Sequence, residues 1–401
     1  MNIPKLRFPE FKGEWEEKKL SEFMTRLTRK NTNNESSRAL TISSVDGLID
    51  QGEFFKKQVA SKDISGYYLL KKGDFAYNKS YSVGYDYGSI KRLDRYENGV
   101  VSTLYICMTL NEEINSDYLT HYFDSMKWNK SVSEISAEGA RNHGLLNIPT
   151  DAFFETKHYL SPSLPEQQKI ADFLSTVDSI ITSETKILNA LQKKKKALMQ
   201  KLFSQQLRFK ADDGSEFPEW VEKKLEDLCT VNQGLQIAIE DRLKEQEENS
   251  YFYITNEFIK TGTKYKYYIK NPPKTVICNE DDILMTRTGN TGIVVTNIAG
   301  CFHNNFFKIN YDRKFIVKQF FVQFFKLPET KHRILVLAGL STIPDLNHKD
   351  FYSLRINLPC KEEQQKIADC LSSMDSLIEN QQKILTTWQQ RKKALLQQMF
   401  V

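Results

Sequence analysis

Two long stretches of the chain place apolar residues at alternating steps of four and three, and neither stretch contains Gly or Pro. This period predicts an amphipathic helix with one apolar stripe, of the kind that packs in a coiled coil. The two stripes are interrupted by polar residues at the same two places, Glu184/Gln381 and Lys195/Lys392. The apolar positions that we expect to pack are Ile170, Leu174, Val177, Ile181, Leu188 and Leu191 in the first stretch and Ile367, Leu371, Met374, Ile378, Leu385 and Trp388 in the second.

The two helical stretches are copies of each other. Residues 166–203 align without a gap on residues 363–400, at an offset of 197, and 22 of these 38 positions are identical. A weaker repeat places Trp15–Leu20 over Trp220–Leu225. The 401 residues therefore predict a tandem duplication in which a pseudo-twofold axis relates two units and their long helices run antiparallel. The alternative is that each helix lies on its own domain and the likeness reflects duplication alone.

Local signals set the boundaries of the units. Ser163–Glu166 fits a capping box with Pro in the first turn, and Pro359 marks the equivalent start of the second helix. The Asp, Gly and Pro residues of 208–218 predict a surface turn between the repeats. We therefore expect an α+β protein with four segments: a mixed α/β domain, a long helix, a second mixed domain and a second helix. Their predicted bounds are 1–160, 161–204, 205–357 and 358–401.

The two mixed domains have diverged but keep a common skeleton. In both, a strand leads into a polar loop, so that Lys79 falls on Arg287, and Gly139–Asn147 matches Gly339–Asn347. Base edges and phosphates accept hydrogen bonds from Arg, Lys, Asn, Thr and Tyr side chains in such loops. The same composition is also typical of ordinary exposed loops. The candidate DNA contacts, of which Lys79 and Arg287 are preferred, are Lys79, Ser80, Tyr81, Tyr85, Arg92, Arg141 and Asn142 in the first domain and Lys264, Lys266, Arg287, Thr288, Asn290, Thr291, His303 and Asn304 in the second.

Signatures of catalysis and of metal binding are missing from the sequence. It has no glycine-rich dinucleotide or phosphate loop, no HExxH, and no C-x-x-C among its six cysteines, so we expect no catalytic residues, metal or cofactor in this chain. Asn271–Lys274 resembles the Asn-Pro-Pro-aromatic motif of amino-methyltransferases, but Lys274 replaces the aromatic residue and a turn is the preferred interpretation. The lysines at 193–196 either track phosphates or, as we prefer, complement the helix dipole.

Charge and hydrophobicity restrict the location and the partners only loosely. The net charge of +5 permits a polyanionic partner without requiring one. The longest apolar run, residues 334–340, is far shorter than the roughly 20 residues of a membrane-spanning helix. The first residues also lack the apolar core of a signal peptide, so a cytoplasmic location is expected.

The duplicated motifs resemble those of the DNA-specificity subunits of type I restriction-modification enzymes. The resemblance rests on the Glu-Gln-Gln-Lys-Ile-Ala-Asp helix starts at 166–172 and 363–369, the two Trp-x-Glu-Lys-Lys-Leu motifs, the segments that contain Lys79 and Arg287, and the linker at 202–209. It covers nearly the whole chain. The resemblance implies two target-recognition domains that each read one half of a bipartite DNA sequence, with the conserved helices as a ruler between them.

The resemblance also implies partner proteins. Two modification subunits would dock on the helices and use S-adenosylmethionine to methylate adenine, and restriction subunits would use ATP and Mg to translocate and cleave double-stranded DNA. The chain itself would be non-catalytic. Two alternatives from other classes are a stand-alone DNA adenine methyltransferase and a coiled-coil scaffold that binds DNA without sequence preference.

Overall fold

In a computed structural model of the protein, the chain forms two compact units. Unit 1 consists of Met1–Thr185 and Lys383–Val401, and unit 2 consists of Lys186–Gln382. The residues that the structure describes are 2–55, 61, 63–111, 114–136, 146–261, 266–339 and 343–401. Of the candidate DNA contacts, Arg141, Asn142 and Lys264 lie outside these described residues.

The first repeat alternates short strands and helices and ends in one long helix. Its strands are β1 (Glu16–Lys19), β2 (Met24–Arg26), β3 (Leu40–Ser43), β4 (Gly47–Asp50), β5 (Tyr68–Lys71), β6 (Phe75–Asn78), β7 (Ser89–Arg92), β8 (Asn98–Val101), β9 (Ile106–Leu110) and β10 (Lys157–Leu160). Its helices are α1 (Leu20–Phe23), α2 (Gln51–Phe54), α3 (Ser116–Ser125), α4 (Asn129–Ile135), α5 (Thr150–Phe154) and the 40-residue α6 (Leu164–Phe203).

The second repeat has the same plan and also ends in a long helix. Its strands are β11 (Val221–Lys224), β12 (Cys229–Gln233), β13 (Ser250–Ile254), β14 (Tyr268–Lys270), β15 (Ile277–Cys278), β16 (Ile283–Thr286), β17 (Val294–Val295), β18 (Gly300–Phe302), β19 (Phe306–Tyr311) and β20 (Arg355–Leu358). Its helices are α7 (Asn256–Thr261), α8 (Lys318–Lys326), α9 (Pro328–Leu337), α10 (His348–Ser353) and the 39-residue α11 (Lys361–Met399).

The two units also share the order of strands in their sheets, so the duplication extends beyond the aligned sequences. Unit 1 contains a four-stranded sheet of order β2-β9-β6-β7, and unit 2 contains one of order β12-β19-β16-β17. In each unit the first strand of the repeat pairs antiparallel with the strand that precedes the long helix, β1 with β10 and β11 with β20. Strands β6 and β16 occupy the same position in the two sheets. The predicted class, α+β with two mixed domains and two long helices, is confirmed.

The end of helix α11 completes the core of unit 1. Phe400, which is 1% exposed, lies 6.1 Å from Trp15 and 5.3 Å from Tyr118, measured between ring centroids. Leu396 and Met399 are buried in the same cluster, together with residues from the start of α6. Because residues late in α11 pack beside residues early in α6, the two helix segments of unit 1 are antiparallel.

Unit 2 is closed in the same way by the end of α6. Phe203 lies 6.5 Å from Trp220 and 5.2 Å from Phe320, so the three rings repeat the aromatic group of unit 1. Met199 and Leu202 share the core of unit 2 with residues from the start of α11, again in antiparallel order. Each compact unit therefore contains the beginning of one long helix and the end of the other, whereas the predicted boundaries treat each helix as a separate segment.

The lysines that interrupt the apolar stripes form matching ion pairs. In unit 1 Lys392 Nζ lies 2.6 Å from an oxygen of Asp178, and in unit 2 Lys195 Nζ lies 2.5 Å from Asp375. These two pairs are equivalent under the offset of 197. The apolar stripe positions that were predicted to pack are buried, except Ile181, Leu191, Ile378 and Trp388, which are half-buried.

Candidate nucleic-acid interface

The polar loops that follow β6 and β16 are anchored in the same way in both units. The Leu146 amide donates to the carbonyl of Lys79 at 2.9 Å, and the Leu346 amide donates to the carbonyl of Arg287 at 2.8 Å. Leu146 and Leu346, which occupy equivalent positions in the aligned segments 139–147 and 339–347, therefore contact equivalent loops. In unit 1, Lys79 follows β6 and contacts the segment that precedes α5. In unit 2, Arg287 follows β16 and contacts the segment that precedes α10.

The loop of unit 2, residues 287–292, is held by a dense set of hydrogen bonds. Gly289 and Gly292 have φ of 86° and 85°, a backbone conformation that residues with a side chain rarely adopt. Thr291 Oγ1 donates to the Pro344 carbonyl at 2.8 Å, and Asn256 Nδ2 donates to the Thr288 carbonyl at 2.9 Å. The Arg287 amide donates to the carbonyl of Asn305 at 2.7 Å. This loop is therefore fixed before any ligand is bound.

Arg287 lies at the start of this loop and is fixed by three neighbours. Its Nε donates to the Leu346 carbonyl at 3.1 Å, and its Nη2 donates to a carboxylate oxygen of Asp345 at 2.9 Å. The guanidinium carbon lies 5.4 Å from the centre of the Phe307 ring, a cation–π distance. Asp345 also accepts from the hydroxyl of Thr288.

The other candidate residues of unit 2 that the structure describes are Asn290, within the loop, and Lys266, His303 and Asn304, outside it. Asn304 Nδ2 donates to Gln236 Oε1 at 3.1 Å, while Asn290 and Lys266 are exposed. His303 Nδ1 accepts from the Asn305 amide at 3.2 Å, so the proton of the neutral ring lies on Nε2, and burial lowers the pKa of the imidazole. His303 is therefore a polar donor and does not contribute charge.

Close packing of the backbone holds the His303 segment in place. A Cβ on Gly234 would lie 2.2 Å from the Phe302 carbonyl oxygen and 2.3 Å from that of His303. The Leu235 amide donates to the Phe302 carbonyl at 3.1 Å. Glycine at 234 is what allows this approach, which positions the turn that carries His303 and Asn304.

In unit 1 the corresponding cation is Lys79. Burial lowers the pKa of its ammonium group, and the side chain lines a small cavity of about 50 Å³. No ion pair joins Lys79 to any residue within the described ranges of unit 1. Ser80 is half-buried and Tyr81 is 48% exposed, while the Tyr85 amide donates to the Ser82 carbonyl at 2.8 Å in the same loop. Lys79 is thus a partly desolvated charge beside a polar, accessible loop.

The structure places Arg92 away from this loop. It pairs with Phe75, at the opposite end of the β6–β7 hairpin from Lys79. Its Nε donates to Asp94 at 2.6 Å, its Nη1 to Ser116 at 2.7 Å and its Nη2 to Asp117 at 2.6 Å. All three nitrogens therefore have partners inside unit 1, which ties β7 to the start of α3.

Sequence reasoning missed the buried ion pairs at the base of each long helix. Arg7 contacts Glu166 at 2.6 and 2.9 Å, and Arg208 contacts Glu363 at 3.1 and 2.8 Å. Both glutamate side chains are 0% exposed, and their hydrogen bonds raise the pKa of each arginine further above its usual value. The signal was a repeated Leu-Arg-Phe at 6–8 and 207–209, whose spacing from the following Trp differs by four residues.

The paired helices of unit 1 also carry an apolar groove. A cavity of about 400 Å³ is lined mainly by apolar groups, including Phe173, Val177, Ile180, Trp388 and Leu395. Within the described part of the chain, no three His, Cys, Asp or Glu side chains are placed to hold a metal ion. No helix in that part is long and apolar enough to cross a membrane.

The fold and the site define a class of protein: two tandem α+β domains, each with an anchored polar loop, on a pair of long helices. The chain belongs to the family described as the type I restriction modification DNA specificity domain, which it matches at residues 12–193 and 218–387. The predicted resemblance is thereby confirmed.

Curated relatives and solved structures agree with this family. A putative type I restriction enzyme MjaX specificity subunit of Methanocaldococcus jannaschii is 30% identical over 291 residues, 70% of this chain and 65% of that protein. The MjaVIII specificity subunit of the same organism is 28% identical over 200 residues, 49% of this chain and 46% of that protein. The chain thus matches about two thirds of the length of the first relative and about half of the second.

Two solved structures share the fold. One is the S subunit of a type I restriction-modification system from M. genitalium, at a TM-score of 0.58 and 14% identity, covering 100% of this chain and 99% of the other. The other comes from work on complex assembly and conformational transition of a type I system, at a TM-score of 0.58 and 17% identity, covering 96% and 97%.

Proposed function

We propose that this chain is the non-catalytic DNA-reading subunit of a type I restriction-modification complex, in which each mixed domain reads one half of a bipartite target. The observation that carries the proposal is the pair of equivalent loops, anchored by the same backbone hydrogen bond but carrying Lys79 in one unit and Arg287 in the other. A common scaffold with different side chains suits two readers of different sequences. Lysine is a point charge and arginine a planar fork, so they select different partners.

The proposal assigns the spacing of the half-sites to the long helices. Helix α6 has 40 residues, which at 1.5 Å per residue gives about 60 Å. Half-sites read from one face of DNA lie about 34–36 Å apart or at a multiple of that distance. The length of a rigid helix would therefore fix the length of the DNA spacer between the two half-sites. The equivalent Lys195–Asp375 and Lys392–Asp178 ion pairs support a fixed register between the paired segments.

Catalysis would belong to partner subunits. The proposal places two modification subunits, which use S-adenosylmethionine, on the helices, and restriction subunits, which use ATP and Mg, in the same cytoplasmic complex. The apolar groove lined by Phe173, Ile180 and Trp388 supports the helices as a docking surface, because exposed apolar area of this kind typically marks a protein interface.

Mapping of methylated adenines tests the proposal. Cells that express the chain together with a modification subunit are expected to methylate one bipartite motif, with a fixed gap, that is absent when either protein is expressed alone. Methylation by the purified chain without partners would instead support a stand-alone methyltransferase. Equal binding of specific and random duplexes, compared at the same salt concentration, would support a non-specific scaffold.

A further inference from the structure

Arg287 differs from an ordinary surface arginine in that one edge and one face of its guanidinium group are already engaged. One edge, made of Nε and Nη2, donates to the Leu346 carbonyl and to Asp345, and the planar face lies over the Phe307 ring. Within the described part of the chain no hydrogen bond uses Nη1. The side chain is 15% exposed. Its remaining donors, two on Nη1 and the second hydrogen of Nη2, therefore form one edge of fixed orientation.

The chemistry around this edge discriminates between the two groups of DNA that arginine contacts. A phosphate attracts net positive charge, but the Asp345 carboxylate, 2.8 Å from Nη2, neutralises Arg287 and repels a second anion. A guanine edge carries no net charge and presents O6 and N7, two acceptors that match the two parallel donors of a guanidinium edge. The arrangement thus favours a base edge over the phosphate backbone.

We propose that Arg287 reads a guanine through O6 and N7 in the half-site recognised by unit 2, and that Asp345 is the positioning residue that orients it. This inference rests on the proposed function and adds the chemical identity of one base to it. The surrounding loop is already held by Thr291 and Asn256, so contact with the base requires little ordering of the protein.

Two other candidate cations, Arg92 and Lys79, do not share this arrangement. Arg92 differs in that all three guanidinium nitrogens, Nη1 included, already donate to Asp94, Ser116 and Asp117, so none of them is without a partner. Lys79 occupies the position equivalent to Arg287 but carries no planar fork and has no described ion pair. Unit 1 therefore supplies a matched comparison: the same loop position with a cation that cannot make the paired contact.

The test is selection of bound duplexes from a random pool by the full chain in complex with a modification subunit. Three variants are compared with the wild type at one salt concentration: Arg287→Lys, Asp345→Asn and, as a control, Arg92→Lys. Arg287→Lys keeps the charge and loses the fork. We expect it to lower the preference for G at one position of one half-site by about tenfold or more, with the other half-site unchanged. Asp345→Asn is expected to weaken the same preference and to increase salt-dependent binding to all duplexes.

Each outcome decides one of the two proposals. A uniform loss of affinity with the G preference intact would make Arg287 a phosphate contact and overturn the inference alone. A half-site that contains no G sensitive to Arg287→Lys would do the same. If the wild-type complex selects no bipartite motif, the proposed function itself fails. Thermal unfolding of each variant identifies a folding defect, and in that case the Asp345→Asn result decides, since this variant retains Arg287.

Discussion

The buried ion pair at the base of α11 offers a direct test of how unit 2 is held together. The change is Glu363→Ala. The Glu363 side chain is 0% exposed and accepts from Arg208 at 3.1 and 2.8 Å and from Trp220 Nε1 at 2.9 Å. Its removal leaves the indole N–H of half-buried Trp220 without its acceptor and Arg208 without its buried carboxylate partner.

The size of the effect follows from this geometry. Removing one partner of a buried ion pair costs about 3–5 kcal/mol, because the other charge remains buried without compensation. Arg208 is 17% exposed and also donates to the Pro218 carbonyl at 2.8 Å, so partial rehydration favours the lower end, about 3 kcal/mol. Glu363→Gln keeps an acceptor but not the charge, and we expect a loss of about 1–2 kcal/mol in the free energy of unfolding.

Urea unfolding followed by tryptophan fluorescence measures this loss. Trp220 is the one tryptophan of residues 186–382, and Trp15, Trp128 and Trp388 lie in unit 1, so only the part of the emission change that comes from Trp220 reports on unit 2. Glu362→Ala is the matched control, since Glu362 is the neighbouring acidic residue in the first turn of α11 and is exposed. If Glu363→Ala and Glu362→Ala shifted the unfolding free energy equally, the ion pair would not stabilise unit 2 and this reasoning would be wrong.

Three further predictions concern pH, packing and spacing. Burial lowers the pKa of His158 to about 3, so the folded unit excludes a proton that the unfolded chain binds below about pH 6.5. Neutral His158 stabilises the fold fully above that pH, and the free energy of unfolding falls by about 2 kcal/mol between pH 7 and 5. In urea unfolding, His158→Gln should reduce this dependence of the unfolding free energy on pH, and an unchanged dependence would contradict the prediction. Gly234→Ala is expected to cost unit 2 at least about 1–3 kcal/mol in urea unfolding, since its Cβ meets two backbone carbonyls, and a neutral result would show that the turn can shift. Four residues inserted into each long helix add about 6 Å to its length. Methylation mapping should then find a longer gap between unchanged half-sites, and an unaltered gap would refute the proposal that helix length sets the spacer.

The sequence predicted the duplication and the helices because both depend on local pattern. The apolar period from Ile170 onward and its copy from Ile367 set the extent of α6 and α11 to within a few residues. The interruptions at Lys195 and Lys392 were visible as well, but their partners, Asp375 and Asp178, were not. Nothing in a stripe of apolar positions specifies which carboxylate of another helix faces a lysine.

The candidate site was predictable only in part for a similar reason. Lys79 and Arg287 could be aligned with each other because they follow equivalent strands, and the structure places those strands in matching sheet positions. Asp345, which neutralises Arg287, lies 58 residues further along the chain, and the pairing depends on the tertiary approach of two loops. Arg92 could not be distinguished from Arg287 by composition, because the difference between them lies in which of their donors are already engaged.

Unit 1 begins with the first residues of the chain but is completed by the last nineteen, Lys383–Val401, of which Phe400 is buried against Trp15. A ribosome adding about 5–20 residues per second needs roughly 10–40 s to extend from residue 185 to residue 383. During that interval the core of unit 1 is incomplete, and its apolar residues are accessible to chaperones and proteases. Translation through residues 383–401 thus acts as a checkpoint, because a polypeptide that terminates before them lacks the segment that completes the core of unit 1.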